Sequence, residues 1–117
     1  MLGSTRAIRV FARACPTDLR NGFDGLYGLI RNDLGHDPLS GDLFLFVNRR
    51  RTSAKIIYWD GTGLCIFAKR LAKGRFACLW SGEPGEPLRL TRAELNLFLE
   101  GAELEGKLPM SPREVKI

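Results

Sequence analysis

Leu43-Phe44-Leu45-Phe46-Val47, followed after a short basic connection by Lys55-Ile56-Ile57-Tyr58-Trp59, Asp60-Gly61-Thr62-Gly63 and Leu64-Cys65-Ile66-Phe67-Ala68-Lys69, decides the fold of this chain. The first run contains no polar residue, which predicts a strand covered on both faces and central in its sheet. The other two are β-rich segments joined by a loop of hairpin length and composition. If that loop pairs Trp59 with Leu64, then Ile57, Trp59, Leu64 and Ile66 share one face, and Ile56, Tyr58, Cys65 and Phe67 share the other. Both sets are apolar, so burial on both faces is expected here too.

Upstream, Ala7 to Ala14 carries Ile8, Val10 and Phe11 in partial alternation with Arg9 and Arg13, the pattern of a first strand ended by Cys15-Pro16. Thr17 and Asp18 are helix-capping residue types, and Phe23, Leu26, Tyr27, Ile30 and Leu34 follow at steps of three and four up to Gly35. A helix near residues 20–34 is expected. Gly22, Gly25 and Gly28 are costly in a helix interior, by up to about 1 kcal/mol each relative to alanine, which suggests close packing or an irregular first turn.

Downstream, Arg75 to Trp80 reads as a further strand, the Pro- and Gly-rich stretch Ser81 to Pro87 as a loop, and Leu88 to Leu90 as a short strand. Thr91-Arg92-Ala93-Glu94 is a capping box opening a short helix, with Leu95, Phe98 and Leu99 inward and Gly101 as its stop. These elements give an α+β fold: a mostly antiparallel β-sheet, an N-terminal helix and a short C-terminal helix, with helix packed on one face of the sheet. Residues 1–102 form a single domain in this reading, and 103–117, which includes Pro109 and Pro112 and has no period, an extended or partly disordered tail.

At 117 residues, 44% apolar and 26% charged, the composition is that of one ordinary globular domain and excludes disorder and fibrous repeats. The longest apolar runs are far below the roughly 20 residues needed to cross a bilayer. Met1 to Arg6 lack the apolar stretch of a secretory signal, which points to the cytoplasm. Cys15, Cys65 and Cys78 are too widely spaced for a disulfide framework or paired zinc ligands and read as small buried residues. No metal or cofactor is expected.

The net charge of +5 is localised. Residues 1–48 carry five basic and five acidic side chains, and 82–117 five basic and seven acidic. Between them lie Arg49, Arg50, Arg51, Lys55, Lys69, Arg70, Lys73 and Arg75, opposed only by Asp60. A clustered cationic field of this kind suits a polyanion, and the eight residues are the candidate nucleic-acid contacts. Tyr58, Trp59, Phe67 and Phe76 are interleaved with them, either filling the core or stacking on bases. A solvated basic face without a partner is the competing explanation, since cations on strands also discourage edge-to-edge aggregation.

Thr17-Asp18-Leu19-Arg20, Gly22-Phe23-Asp24-Gly25-Leu26 and Asp37-Pro38-Leu39-Ser40-Gly41-Asp42-Leu43-Phe44-Leu45-Phe46 resemble the opening half of the TnpB accessory proteins of insertion-sequence sixty-six transposons. Asn48-Arg49-Arg50-Arg51, Lys55, Tyr58-Trp59-Asp60-Gly61, Gly63, Lys69-Arg70-Leu71 and Lys73-Gly74-Arg75-Phe76 are similar to that family's basic-aromatic block in order and spacing. The likeness covers Thr17 to Phe76 and, more loosely, the Thr91 to Gly101 helix. It departs after Phe76, where the family pattern has Trp-Pro and this chain has Ala77-Cys78-Leu79-Trp80. The chain has neither the length nor the carboxylate arrangement of the RNA-guided nuclease that shares the name. The resemblance implies a protein encoded beside a transposase and needed for efficient transposition, with the transposase of the same element as partner and DNA as a second candidate.

A metal-dependent nuclease would need converging carboxylates. Asp18, Asp24, Asp37, Asp42 and Asp60 are the candidates, but Asp18, Asp37, Asp42 and Asp60 stand where aspartate shapes caps and turns. Acidic residues two from a lysine occur at Glu105 with Lys107 and Glu114 with Lys116, outside any core strand. His36 has no adjacent nucleophile signature, and no phosphate-cradling Gly-Lys-Ser/Thr loop is present. The expected function is therefore non-catalytic, by weak DNA binding, by docking on the transposase, or by both. The acidic Glu94, Glu100, Glu103 and Glu105 are either a docking face for a basic transposase surface or a solvated helix face.

Overall fold

The structure is a computed structural model that describes residues 7–81 and 85–101. Its strands are β1 (Val10–Ala12), β2 (Leu43–Val47), β3 (Ser53–Trp59), β4 (Leu64–Arg70) and β5 (Leu88–Leu90). Helix α1 (Phe23–Gly28) runs on into a π-helical segment, Leu29–Leu34, and α2 (Arg92–Leu99) follows β5. The sheet order is β4-β3-β2-β1-β5. The fold is α+β, with antiparallel pairs throughout except β1 with β2, which are parallel and joined through α1. The first helix thus follows the first strand.

The apolar run Leu43–Val47 occupies the centre of the sheet, with Phe44, Leu45, Phe46 and Val47 fully buried. Alternation sends Phe44 and Phe46 to one face, where they meet Phe11, Ile57 and the Leu26, Ile30 and Leu34 stripe of the first helix. Leu45 and Val47 point to the other, against Val10, Ala54, Ile56, Phe76 and, from α2, Leu95 and Phe98. The helices therefore cover opposite faces, not the single face expected. A parallel β1–β2 pair needs a crossover, and that crossover lays α1 on one side while the chain leaving β4 packs on the other.

Helix α1 starts later than residue 20, and neither Thr17 nor Asp18 caps it. Thr17 is buried, donates its amide to Val47 O and accepts from Arg13 Nη1. Asp18 accepts from the Arg20 amide and guanidinium, closing a local turn. Gly22 stands at the N-cap without a side-chain cap. Of the three glycines in this stretch only Gly25 is crowded: a Cβ there would lie 2.5 Å from Asn21 Oδ1, whose amide nitrogen donates to Asp18 O. Phe23, expected inward, is 49% exposed. The segment ends at Gly35, φ +71°, with the His36 amide reaching back to Ile30 O.

The hairpin has the expected register, Trp59 opposite Leu64 and Ile57 opposite Ile66. Asp60 Oδ1 accepts from the Thr62 amide, the Thr62 hydroxyl and the Gly63 amide, and Gly61 adopts φ +107°. The expectation of burial on both faces fails for β4. It is an edge strand at the margin of both helical layers, where Leu64 and Ile66 only flank the first-helix cluster and Lys69 reaches Leu99 O, so its apolar residues are half-covered and Phe67 is 45% exposed.

Residues 75–80 are not a strand. Both neighbours of β2 are already taken, so this segment crosses the α2 side as a layer, burying Phe76, Ala77 and Leu79 without a ladder. The Phe76 ring stacks on Phe98 with centroids 4.8 Å apart. Leu88–Leu90 does pair with β1, and Thr91 and Glu94 form both bonds of the capping box. The three cysteines are free and half-buried rather than buried. The tail expected over 103–117 lies outside the described residues.

Candidate nucleic-acid interface

One end of the sheet gathers the basic segment because three strand ends meet there. The Asn48–Thr52 connection turns β2 into β3, and the hairpin register brings Arg70 opposite Ser53. Asn48 organises the turn: its Oδ1 accepts from the Thr52 and Ser53 amides and its Nδ2 donates to Thr52 Oγ1. Arg51, φ +61°, is the one non-glycine in the left-handed region among the described residues. Arg75 arrives from the segment after β4 and lines an open groove with Arg49, Arg50, Arg51 and Thr52. A second groove joins Arg49 and Arg50 to Pro16, Thr17, Asp18, Leu19 and Arg20.

The eight sequence-designated cations divide into two groups. Three are spent inside the fold: Arg51 Nη1 donates to Phe76 O, Lys55 Nζ to Leu19 O and Asn21 O, and Lys69 Nζ to Leu99 O at the C-terminal end of α2. Arg49, Arg50, Arg70, Lys73 and Arg75 are exposed and engage in no hydrogen bond or ion pair among the described residues. These five form a cationic surface at the β2–β3–β4 end, with charge available for an external anion.

Sequence reasoning missed Arg20, which lines the groove with Arg49 and Arg50 and is almost fully exposed. Its charge is matched by Asp18 at 2.7 Å, and the Arg20 guanidinium holds the Asp18 carboxyl down at about 2. The signal was the Asp-X-Arg spacing, legible only once Asp18 is known not to cap a helix.

The aromatics interleaved in sequence are not interleaved in space. Tyr58 and Trp59 lie at the hairpin end of β3, about 20 Å along the strand from Ser53 at roughly 3.3 Å per residue. Phe76 is buried under α2, and Phe67 sits midway along the edge strand. The cationic surface is suited to phosphates rather than to stacking on bases by these aromatics.

The five candidate aspartates, all among the described residues, do not converge. Asp60 and Asp37 organise turns, Asp37 through the Leu39 amide. Asp42 is 1% exposed and holds the Arg9 amide and guanidinium. Asp24 is exposed in the first turn of α1. His36 stacks on Phe11 with centroids 4.0 Å apart. Among the described residues no group of three or more His, Cys, Asp or Glu is arranged to hold a metal ion, and no helix is long and apolar enough to cross a membrane. Glu94 is buried in the capping box and so is removed from the acidic docking face considered for the C-terminal end. Glu103, Glu105, Lys107, Glu114 and Lys116 lie outside the described residues.

Comparison with known proteins agrees with the resemblance in the sequence. Two uncharacterised proteins of Sinorhizobium fredii are similar over 103 residues: y4hO, 37% identical over 88% of each chain, and y4jC, 32% identical over 88% of this chain and 86% of its own. No solved structure matches. The profile of the family described as IS66 Orf2 like protein matches residues 8–108, and the chain belongs to that family.

Proposed function

We propose that the protein is a non-catalytic accessory factor for transposition of an insertion-sequence sixty-six type element, acting in the cytoplasm by holding DNA phosphates beside the transposase of that element. The observation that carries this reading is the set Arg49, Arg50, Arg70, Lys73 and Arg75, exposed at one sheet end and free of internal partners among the described residues. Family membership supports a transposition role, and the turn-forming work of Asp18, Asp37 and Asp60 supports assistance rather than chemistry. Phosphate contacts position a protein without reading sequence, so the binding is sequence-tolerant.

Fluorescence anisotropy of the full chain with element-end and unrelated duplexes tests this reading. Similar affinities for both, falling steeply with salt, are expected. Co-purification of tagged protein with the transposase, with and without DNA, separates the two ways of joining the assembly. Association only with DNA means bridging through the nucleic acid, and association without it means direct docking. No DNA binding at low salt would remove the phosphate role, and metal-dependent cleavage by the isolated protein would overturn the non-catalytic one.

A further inference from the structure

The two sheet edges are built differently. β5 has three residues with Arg89 at its centre, a short and charged edge of the kind that resists pairing. β4 has seven, Leu64 to Arg70, with half-covered apolar side chains and the exposed Phe67. Bonds from the Leu71 amide to Thr52 O and from the Asp60 amide to Gly63 O fix the ladder, so Cys65, Phe67 and Lys69 direct their backbone groups toward β3. By the same alternation Leu64, Ile66, Ala68 and Arg70 direct theirs outward, where no strand lies among the described residues.

We propose that this edge pairs with the same edge of a second copy of the chain, antiparallel and centred on Phe67, joining two five-stranded sheets into one. In that register Ile66 faces the partner's Ala68 and Leu64 the partner's Arg70, so every outward N–H and C=O of these four residues is matched. Phe67 meets the partner's Phe67 at a non-hydrogen-bonded position, where cross-strand side chains approach most closely. The charges favour a second copy in this orientation. Each β4 runs from a hairpin bearing exposed Asp60 to an end bearing Lys69 and Arg70, and antiparallel pairing sets each basic end beside the partner's acidic hairpin. Lys69 comes opposite the partner's Cys65, whose thiol lies 3.4 Å from the Asp60 carboxylate within its own chain. Parallel pairing would set basic end against basic end. The antiparallel pair also sends the two Arg49–Arg75 surfaces to opposite extremities of the joined sheet.

Sedimentation equilibrium of the full chain at micromolar concentrations, without DNA, tests the pairing independently of the proposed function. A mass twice that of the chain is expected; a monomer overturns the proposal, and protection of the Ile66 and Ala68 amides in that monomer would mean the chain covers its own edge. Ala68→Pro removes an outward N–H and no β3–β4 bond, so it should leave circular dichroism unchanged while weakening the dimer roughly ten-fold or more. Ala68→Glu, which keeps the backbone intact, should do the same by placing like charges in the seam; a dimer unaffected by both variants overturns the proposal. In a chain whose native cysteines are serine, Phe67→Cys should oxidise to a disulfide-linked dimer, and failure to cross-link overturns the register.

Discussion

The Arg51 carbonyl accepts the Phe76 amide at 2.7 Å, and the Arg51 guanidinium donates back to the Phe76 carbonyl at 3.2 Å. This reciprocal pair clips the layer segment after β4 to the turn between β2 and β3. It brings Arg75 beside Arg49 and Arg50 although more than twenty residues of chain separate them. Arg51 therefore shapes the basic surface and contributes little free charge to it.

Replacing Arg51 separates these roles. Arg51→Ala loses the guanidinium bond and keeps the left-handed φ of +61°, so a loss of about 1 kcal/mol in urea unfolding is expected. Arg51→Gly loses the same bond but relieves a backbone penalty of about 1 kcal/mol, and should be the more stable of the two. An alanine variant as stable as the glycine variant would show that the conformation at this position is not strained.

Asp60 makes acid stability sensitive to the hairpin. Backbone and hydroxyl donors from Thr62, with the Gly63 amide, lower its carboxyl from the ordinary 3.8 to about 2. A pKa depressed by folding contributes stability that is present above the unfolded value and lost as pH falls through the folded one. Thermal unfolding should therefore shift downward between about pH 4 and pH 2, and Asp60→Asn, which does not titrate, should lose less across that window. Equal pH profiles for the two proteins would remove Asp60 from the acid response.

At Gly25 helix propensity opposes a local bond. Alanine there would gain about 1 kcal/mol of helix stability but its Cβ would displace the Asn21 side chain, costing the bond from Asn21 Nδ2 to Asp18 O. Gly25→Ala should be destabilising alone and stabilising by about 1 kcal/mol in an Asn21→Gly background, which also removes the Asn21 Cβ that would stand 2.9 Å from the new methyl. Simple additivity of the two changes in thermal unfolding would contradict the clash.

The parts of the fold legible in the sequence are those fixed by local chemistry. The unbroken run Leu43–Val47, the Asp60–Gly63 hairpin and the Thr91–Glu94 box each carry their own backbone accounting and stand where expected. What escaped depends on partners far along the chain. Arg75 to Trp80 has strand-like residues, but its place in the ladder is already occupied, so layer contact with Phe98 decides its conformation. Asp18 looks like a cap until Arg20 is seen to hold it. In the same way Lys55 and Lys69 are indistinguishable in sequence from Arg49 and Arg70, because the carbonyls that occupy them lie about thirty residues away.

That division yields the sharpest test of the surface. Each phosphate contact made by a free cation releases counterions and adds about 0.9 to the slope of log affinity against log salt. Changing Arg49, Arg50 and Arg75 to alanine should therefore lower duplex affinity and reduce the slope by up to about 3, with unfolding nearly unchanged because these side chains bond to nothing within the described residues. Changing Lys55 and Lys69 to methionine removes the same kind of charge but leaves the Leu19, Asn21 and Leu99 carbonyls without their donor. That pair should destabilise by about 1 kcal/mol per site and leave the salt slope where it was. If instead the lysine variants lose slope as the arginine variants do, the internal bonds of Lys55 and Lys69 give way in the complex and the contact surface extends across all of the strand ends.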